Sequence, residues 1–323
     1  MYDYGMDLGL THDRQVTEDY LSDDSSHVVY NGDTRDLLRK MGDGTAQLII
    51  TSPPYNIGKT YEEETDLSEY LANQLGIAAE LNRVLADGGS LCWQVGNYVK
   101  NGEIIPLDIP FYSVFKNLGL KLRNRIIWTF GHGLHASKRF SGRYETILWF
   151  TKGDEYKFRL DNVRVPSKYP GKRHWKGSQV GLPSGNPLGK NPSDIWKIVA
   201  QDWEAEIWDI PNVKANHPEK TSHPCQYPVE LVQRCILALT DPGDLVLDPF
   251  GGIGTTVLAS EVTERRGVMA ELQDEYAKLA IDRIKQYRSG HLKVRKIGTP
   301  VFTPTGRERV SQVPEEWSKG GSK

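Results

Sequence analysis

Apolar and polar residues alternate along the chain in segments that predict strands and helices in turn. Strands are predicted at HVVYN, AQLIITS, SLCWQVGN, NRIIWTF and YETILWFTK, and helices at TRDLLRKM, over residues 67–86 and near residues 107–118. The alternation returns after residue 216 in YPVELVQRCILAL, DLVLD, GTTVLASEV, RRGVMAEL and DEYAKLAIDRIKQY. Apolar strands that alternate with helical segments predict an α/β fold with a mainly parallel sheet.

Three segments depart from this alternation. Residues 1–27 are polar and acidic, which predicts a loosely docked arm, and residues 291–323 read as a polar tail. Residues 152–216 are rich in Lys, Pro, Gly and Trp without a clear period, which indicates an irregular insertion or a small second domain. The folded domain is therefore expected in two parts, residues 28–151 and residues 217–290.

Composition excludes several classes of protein. With 323 residues, 38% of them hydrophobic and 10% aromatic, the chain can build a substantial core and is not wholly disordered. No apolar run approaches the roughly 20 residues of a membrane span, so we expect a cytoplasmic protein without a membrane partner. The three cysteines form no CxxC pair, and His132 and His135 have no third ligand nearby, so we expect no metal site.

Charge is unevenly distributed although the totals nearly cancel, with 40 Lys+Arg and 42 Asp+Glu. Residues 1–80 hold 5 basic and 16 acidic side chains, whereas residues 116–176 hold 15 basic and 4 acidic ones. The basic segment suggests a local surface for a polyanion such as nucleic acid. A solvated face without a partner is the alternative.

A glycine-rich turn follows the predicted strand LVLD, which ends at Asp248 where open α/β sheets place their ligands. The turn DPFGGIGTT leads into a helix, and three glycines let its backbone approach a ligand beside the helix amides: Gly251, Gly252 and Gly254. Phe250 favours a ligand over a purely structural turn, which is the alternative. Glu271 ends the next strand, where a carboxylate can accept hydrogen bonds from ribose hydroxyls. The pattern FGGIG lacks the GxGxxG spacing and disfavours NAD.

A second motif, SPPYN, follows the buried strand AQLIIT. Pro53 and Pro54 fix the backbone, so the Ser52 hydroxyl and the Pro53 carbonyl become rigid acceptors. Tyr55 offers a flat face on which an extruded base can stack. Acceptors aimed at both hydrogens of an exocyclic amine favour the pyramidal geometry that frees its lone pair for methylation. An ordinary Pro-Pro turn is the alternative.

The chain resembles DNA amino-methyltransferases of the beta class in three features that follow one another in the order of that class. SPPYN resembles their catalytic motif, DPFGGIGTT resembles their cofactor motif, and Glu271 resembles their ribose-binding acid. The resemblance extends from about Val28 to Tyr287 and includes NGDTRDLL, LNRVLADGGSL and HPCQYPVELVQRCI. It implies a Rossmann-like methyltransferase fold with a circularly permuted motif order, in which residues 28–151 form the catalytic half and residues 217–290 the cofactor half. It also implies S-adenosyl-L-methionine as cofactor.

The resemblance also implies roles for individual residues. Phe250, Gly252 and Gly254 would cradle the methionine part of the cofactor, Glu271 would bind its ribose, and Asp33 would lie near its adenine. Further residues would complete this pocket: Asp248, Thr255, His223, Pro224 and Gln226. The target base would be held by the catalytic loop, which consists of Ser52, Pro53, Pro54 and Tyr55.

Residues 152–216 would form the target-recognition region, by analogy of position. In this region and just before it, basic and aromatic side chains alternate in a way that suits phosphate contacts and stacking: Arg139, Arg143, Lys168, Lys172, Arg173, Trp175 and Lys176. Tryptophans that form the core of a small domain are the alternative. The implied partners are double-stranded DNA, a cognate restriction endonuclease and a second copy of the chain in a homodimer.

The first loop residue bears on the target base. In the family, SPPY is typical of methylation at N4 of cytosine and DPPY of methylation at N6 of adenine. Ser52 therefore favours cytosine, with adenine as the alternative. A non-catalytic DNA-binding protein and an RNA methyltransferase are further alternatives.

Overall fold

The computed structural model describes residues 10–11, 27–55, 65–129, 136–167, 169, 171–196, 227–294 and 297. The described residues leave out most of the predicted N-terminal arm and most of the predicted C-terminal tail. They also leave out residues 197–226, which include the end of the predicted insertion and the residues that follow it. In the described part, no helix is long and apolar enough to cross a membrane.

Eleven strands are present in the described residues, nine of them in one sheet. They are β1 (Leu10–Thr11), β2 (His27–Asn31), β3 (Ala46–Thr51), β4 (Leu85–Val95), β5 (Asn97–Lys100), β6 (Glu103–Pro106), β7 (Lys121–Thr129), β8 (Tyr144–Thr151), β9 (Ile195–Trp196), β10 (Leu245–Asp248) and β11 (Arg266–Glu271). The sheet order is β1-β2-β11-β10-β3-β4-β8-β7-β9, and β5 pairs with β6 as a separate hairpin. Within the nine-stranded sheet only β8 runs antiparallel to its neighbours, so the prediction of a mainly parallel sheet is confirmed.

Helices cover both faces of the sheet. They are α1 (Thr34–Lys40), α2 (Leu67–Val84), α3 (Asp108–Asn117), α4 (Val229–Leu239), α5 (Thr255–Val262) and α6 (Asp274–Arg288), with a 3-10 helix at Leu160–Val163. Side chains of β3 divide between the two layers because successive residues point to opposite faces. Ile49 packs with α1, α2 and α3, whereas Leu48 and Ile50 pack with α4 and α5. The α/β fold class predicted from the sequence is confirmed.

The end of α2 differs from the prediction. The helix was expected to continue to residue 86, but it ends at Val84 because Leu85 already has an extended backbone and pairs with Ala46 of β3. Its start is stabilised by Asp66, whose carboxylate accepts a hydrogen bond from the backbone N–H of Ser68 at 2.9 Å. Sheet pairing therefore takes precedence over the helical pattern at this junction.

Within the predicted insertion, the described residues 152–196 contain little regular structure. Apart from the 3-10 helix and the two residues of β9, they form isolated bridges between Val165 and Lys190 and between Arg173 and Pro183. Arg159 anchors the segment to the main domain through two hydrogen bonds to the carboxylate of Asp241, at 2.7 and 2.8 Å. The boundaries of a separate recognition region stay a prediction.

A buried ionic group ties α5 and α6 to β2. The Nδ1 atom of His27 accepts from the backbone N–H of Gly267 at 2.9 Å, so its Nε2–H donates to Glu261 at 2.6 Å. Glu261 also accepts from Arg288 at 2.9 Å. Burial would raise the pKa of Glu261, but these donors outweigh it and hold the pKa at about 2.

Candidate active site

The two motifs found in the sequence meet where the strand order reverses. From β10 the chain continues through β11, which lies on one side, whereas β3 lies on the other side and leads on to β4. The carboxyl ends of neighbouring parallel strands share one edge, which is the usual ligand site of such sheets. Thr51, Asp248 and Glu271 are the last residues of β3, β10 and β11.

Asp248 joins the two motifs. Its side chain is fully buried, and its Oδ1 accepts from the hydroxyl of Thr51 at 2.6 Å and from the backbone N–H of Phe250 at 3.1 Å. Its Oδ2 accepts from the hydroxyls of Tyr227 at 2.8 Å and Thr256 at 2.6 Å. Burial raises the pKa of Asp248, although all four hydrogen bonds act in the opposite direction. The carboxylate therefore holds the glycine-rich turn of residues 249–254 against the loop of residues 52–55.

Close packing leaves no room for a side chain at two glycines of the glycine-rich turn. A Cβ on Gly251 would lie 2.5 Å from Met269, and one on Gly254 would lie 2.7 Å from the Cβ of Ala280. Gly254 also has a left-handed backbone with φ of 73° where α5 begins. Gly252, with φ of 51°, instead directs its N–H at the carboxylate of Glu271, 2.9 Å away.

The Glu271 carboxylate is held by two hydrogen bonds and can accept further ones. One oxygen accepts from Gly252 and the other from the backbone N–H of Gln273 at 2.8 Å. Burial raises the pKa of this carboxyl, against the effect of those two hydrogen bonds. Each oxygen of a carboxylate can accept about two hydrogen bonds. The group therefore fits the role of binding ribose hydroxyls.

Asp33 lies at the same edge of the sheet, one strand beyond Glu271. The backbone N–H of Gly32 donates to the carbonyl of Glu271 at 2.9 Å, which joins the ends of β2 and β11. The Asp33 carboxylate caps α1 by accepting from the N–H of Arg35 at 2.8 Å. Its side-chain hydrogen bond with Arg35 lowers the pKa of Asp33.

The catalytic loop is held from two directions. The hydroxyls of Ser52 and Tyr55 lie 2.9 Å apart and form a hydrogen bond. Tyr70 of α2 donates its hydroxyl to the carbonyl of Pro54 at 2.7 Å. The Tyr55 ring lies close to Gly96, where an added Cβ would be 3.1 Å from Cε2. Gly96 thus leaves room for the ring beside the end of β4.

Phe250 packs the glycine-rich turn against the same core cluster that Tyr55 contacts. Its half-buried ring meets the ring of Trp93 edge to face, with centroids 6.2 Å apart. Trp93 is fully buried in β4 and also packs against Phe111 and Phe115. An aromatic ring that is only half-buried at this position keeps one surface for a ligand.

Glu145 is a candidate site residue that sequence reasoning missed. Its Oε1 would lie 3.6 Å from a Cβ on Gly96, so its carboxyl and the Tyr55 ring border the same point. Gln94 donates to its Oε2 at 2.6 Å. Burial raises the pKa of Glu145 despite this hydrogen bond. In the sequence it is one acid at the start of a strand, and only the antiparallel pairing of β8 with β4 brings it to the loop.

The structure does not bring every candidate residue to this site. His223, Pro224, Gln226 and Lys168, as well as His132 and His135, lie outside the described residues. Thr255 is buried in the first turn of α5. The described DNA-binding candidates lie in two surface segments, Arg139 with Arg143 and residues 172–176. In the second segment Trp175 is 75% exposed and the Nζ of Lys176 lies 4.1 Å from its ring centroid.

Metal ligands do not cluster in the part of the chain that the structure describes. Its His, Cys, Asp and Glu side chains form no group of three or more that could hold a metal ion.

A family model described as DNA methylase matches residues 46–282 of this chain, which span both motifs. The chain belongs to this family. It is a DNA methyltransferase of the kind that modifies the amino group at N4 of cytosine or N6 of adenine, and the family uses S-adenosyl-L-methionine. The family and cofactor expected from the sequence are therefore confirmed.

Curated relatives include two that cover most of the chain. The type II methyltransferase M.BglII of Bacillus subtilis is 48% identical over 253 residues, which are 78% of this chain and 67% of that protein. The DNA adenine methyltransferase YhdJ of Escherichia coli K12 is 30% identical over 295 residues, 88% of this chain and 92% of that protein.

Solved structures confirm the methyltransferase fold. TTHA0409 of Thermus thermophilus, described as a DNA modification methylase and solved with S-adenosyl-L-methionine, has a TM-score of 0.57 and 26% identity, covering 80% of this chain and 93% of that one. The cytosine-N4-specific PvuII DNA methyltransferase has a TM-score of 0.59 at 22% identity, covering 83% and 93%, and bears on the fold alone.

Proposed function

We propose that this DNA methyltransferase transfers a methyl group to N4 of cytosine in double-stranded DNA. The observation that carries the proposal is Ser52 at the first position of the catalytic loop, hydrogen-bonded to Tyr55. A hydroxyl can accept from the amino group of the base and can also donate to the neighbouring ring nitrogen. Cytosine offers such a pair in N4 and N3, and in this family SPPY is typical of methylation at N4 of cytosine.

In this proposal the cofactor lies across the ends of β10 and β11. Glu271 accepts hydrogen bonds from the ribose, and the exposed surface of Phe250 packs against the methionine part beside Gly252 and Gly254. Asp33 lies towards the adenine. When bound, S-adenosyl-L-methionine supplies an electrophilic methyl group on its sulfonium.

The catalytic loop acts on a base that has left the duplex. The base stacks on Tyr55, and Ser52 and the Pro53 carbonyl accept from its amino group. The amino nitrogen attacks the methyl carbon in line, so that the new N–C bond forms as the S–C bond breaks and the sulfur leaves as a thioether. The surplus proton then passes to water, directly or through the Ser52 hydroxyl, and no cysteine nucleophile is required.

We further propose that residues 152–216 recognise the target sequence between a catalytic half, residues 28–151, and a cofactor half, residues 217–290. The basic side chains assigned to DNA contact would neutralise phosphates. The type II relative supports a role beside a cognate restriction endonuclease. A homodimer and a cytoplasmic location complete the proposal.

A second candidate function is methylation at N6 of adenine. It is favoured by the similarity to the adenine methyltransferase YhdJ over 88% of the chain. The same loop serves both reactions, because adenine also presents an amino group next to a ring nitrogen.

The test is to incubate the purified protein with unmethylated DNA and S-adenosyl-L-methionine, digest the DNA to nucleosides and identify the modified base by mass spectrometry. N4-methylcytosine supports the first proposal, N6-methyladenine replaces it with the second, and an unmodified product contradicts both.

The assigned roles are tested with Ser52→Ala and Tyr55→Ala. Both variants should lose methyl transfer and keep cofactor binding, measured by calorimetry. Equal loss of transfer and cofactor binding would contradict the assignment of these residues to the base.

A further inference from the structure

The segment between β7 and β8 carries an unusually exposed aromatic ring. Phe140 is 98% exposed, the highest value among the large hydrophobic side chains of the described residues. An exposed apolar ring of this size is unfavourable in water. The whole ring is therefore available for contact with a partner.

The residues around Phe140 form a small basic tip. Ser141 accepts from the backbone N–H of Ala136 at 3.1 Å, which closes residues 136–141 into a short loop. Arg139 donates to the carbonyl of Phe140 at 3.3 Å, and Arg143 donates to that of Gly142 at 2.9 Å. Both guanidinium groups thus stay near the backbone of residues 140–142, and the neighbouring Lys138 is exposed. An apolar ring among cations suits a partner with negative charge outside and flat apolar surface inside.

Strand pairing places this tip at the edge of the sheet that holds the catalytic loop. The first residues of β8 pair with the end of β4, where Thr146 lies opposite Val95. Glu145 reaches the point that the Tyr55 ring also borders. Phe140 is five residues before Glu145, and five residues span at most about 18 Å. The ring is therefore within reach of a duplex whose target base occupies the catalytic loop.

We propose that Phe140 enters the base stack of the DNA and fills the space that the target base vacates. This inference rests on the proposed function, because it requires a base to leave the duplex. Proteins that open a base step commonly insert an apolar side chain and bind the flanking phosphates with Arg and Lys. Lys138, Arg139 and Arg143 hold those phosphates on either side of the ring.

The experiment compares two duplexes that contain the methylated sequence, which is first read from the positions of the modified base in plasmid DNA. In one duplex the target base has its normal partner, and in the other it lies opposite an abasic site, where leaving the stack breaks no base pair. Single-turnover methyl transfer is measured for the wild type, Phe140→Ala and Phe140→Trp. Ile109→Ala is the matched control, since Ile109 is an apolar side chain of α3 that is 61% exposed.

Phe140→Ala should slow transfer on the normal duplex about tenfold or more, because an aromatic ring stacked on a base contributes roughly 5- to 150-fold in affinity. On the abasic duplex it should lose less than about threefold, since the cost of opening the pair is already removed. Phe140→Trp and Ile109→Ala should match the wild type on both duplexes. Equal loss on both duplexes, or no loss on either, would overturn the inference. Wild-type protein that transfers no methyl group to either duplex would instead overturn the proposed function on which it rests.

Discussion

Asp248 offers a quantitative test of how the two motifs are joined. Alanine at this position would remove the acceptor from three hydroxyls and one backbone N–H. The hydroxyls of Tyr227 and Thr256 lie 2.9 Å apart and can still pair with each other. The hydroxyl of Thr51 and the N–H of Phe250 lose their partner, at roughly 1–3 kcal/mol for each buried group. Asp248→Ala should therefore lower the free energy of unfolding by about 2–6 kcal/mol.

Asp248→Asn should destabilise the fold far less than Asp248→Ala. Its carbonyl oxygen can replace Oδ1, and its amide hydrogens can donate to the hydroxyls of Tyr227 and Thr256, which accept as well as donate. Because the pKa of Asp248 is raised, the ionised form is not favoured by folding, and removal of the charge at pH 7 costs little. We expect Asp248→Asn to lower the free energy of unfolding by about 1 kcal/mol or less.

The assay is urea unfolding of the wild type, Asp248→Ala and Asp248→Asn at several pH values. Because the pKa of Asp248 is raised in the folded state, its protonated carboxyl group contributes its full stabilisation of the fold below the ordinary pKa of 3.8. This stabilisation is lost as the pH rises through the folded pKa. The advantage of the wild type over Asp248→Asn should therefore shrink as the pH rises above 3.8. If Asp248→Asn were as unstable as Asp248→Ala at pH 7, the charge rather than the acceptors would hold the site, and the reasoning would be wrong.

Three further predictions follow from single contacts. Tyr70→Phe removes the hydrogen bond to the carbonyl of Pro54 and should lower the free energy of unfolding in urea by about 1 kcal/mol. It should also slow single-turnover methyl transfer and leave cofactor binding unchanged. Weaker cofactor binding would contradict the assignment of this loop to the target base. Glu145→Gln should gain stability relative to the wild type as the pH rises above the ordinary value of 4.5, because the raised pKa of Glu145 makes its ionised form unfavourable. A pH-independent difference would refute this. Glu261 has a folded pKa of about 2 against an ordinary value of 4.5, so its contribution is full above pH 4.5 and is lost as the pH falls towards 2. The stability difference between wild type and Glu261→Gln should follow that course.

Much of the sheet could be predicted because local patterns carry it. The segments Leu48–Ile50 of β3 and Leu245–Leu247 of β10 are buried on both faces, and this shows in the sequence as three consecutive apolar residues in each. The end of α2 could not be predicted, since Leu85 fits a helix as well as a strand and only its pairing with Ala46 decides. Local pattern predicts an element, whereas its end depends on residues that are distant in the sequence.

The candidate site divides in the same way. Ser52 and Glu271 stand in short motifs at strand ends, so their position at the sheet edge followed from the sequence. Glu145 and Phe140 have no motif around them. Their relation to the catalytic loop depends on the antiparallel direction of β8, which no local pattern indicates. The predicted roles of the site residues themselves stay predictions until the variants are measured.

The bond between Thr51 and Asp248 joins residues that are 197 positions apart in the chain. During synthesis β3 is therefore complete long before its neighbour β10 has been made. Until then Leu48 and Ile49 lack their pairing partners Val246 and Leu247. Contacts of such long range are slow to form, and an unpaired strand edge invites association with other chains. We expect nascent chains that end before residue 245 to be prone to aggregation and to need chaperones. Activity would then appear only when the last third of the protein has left the ribosome.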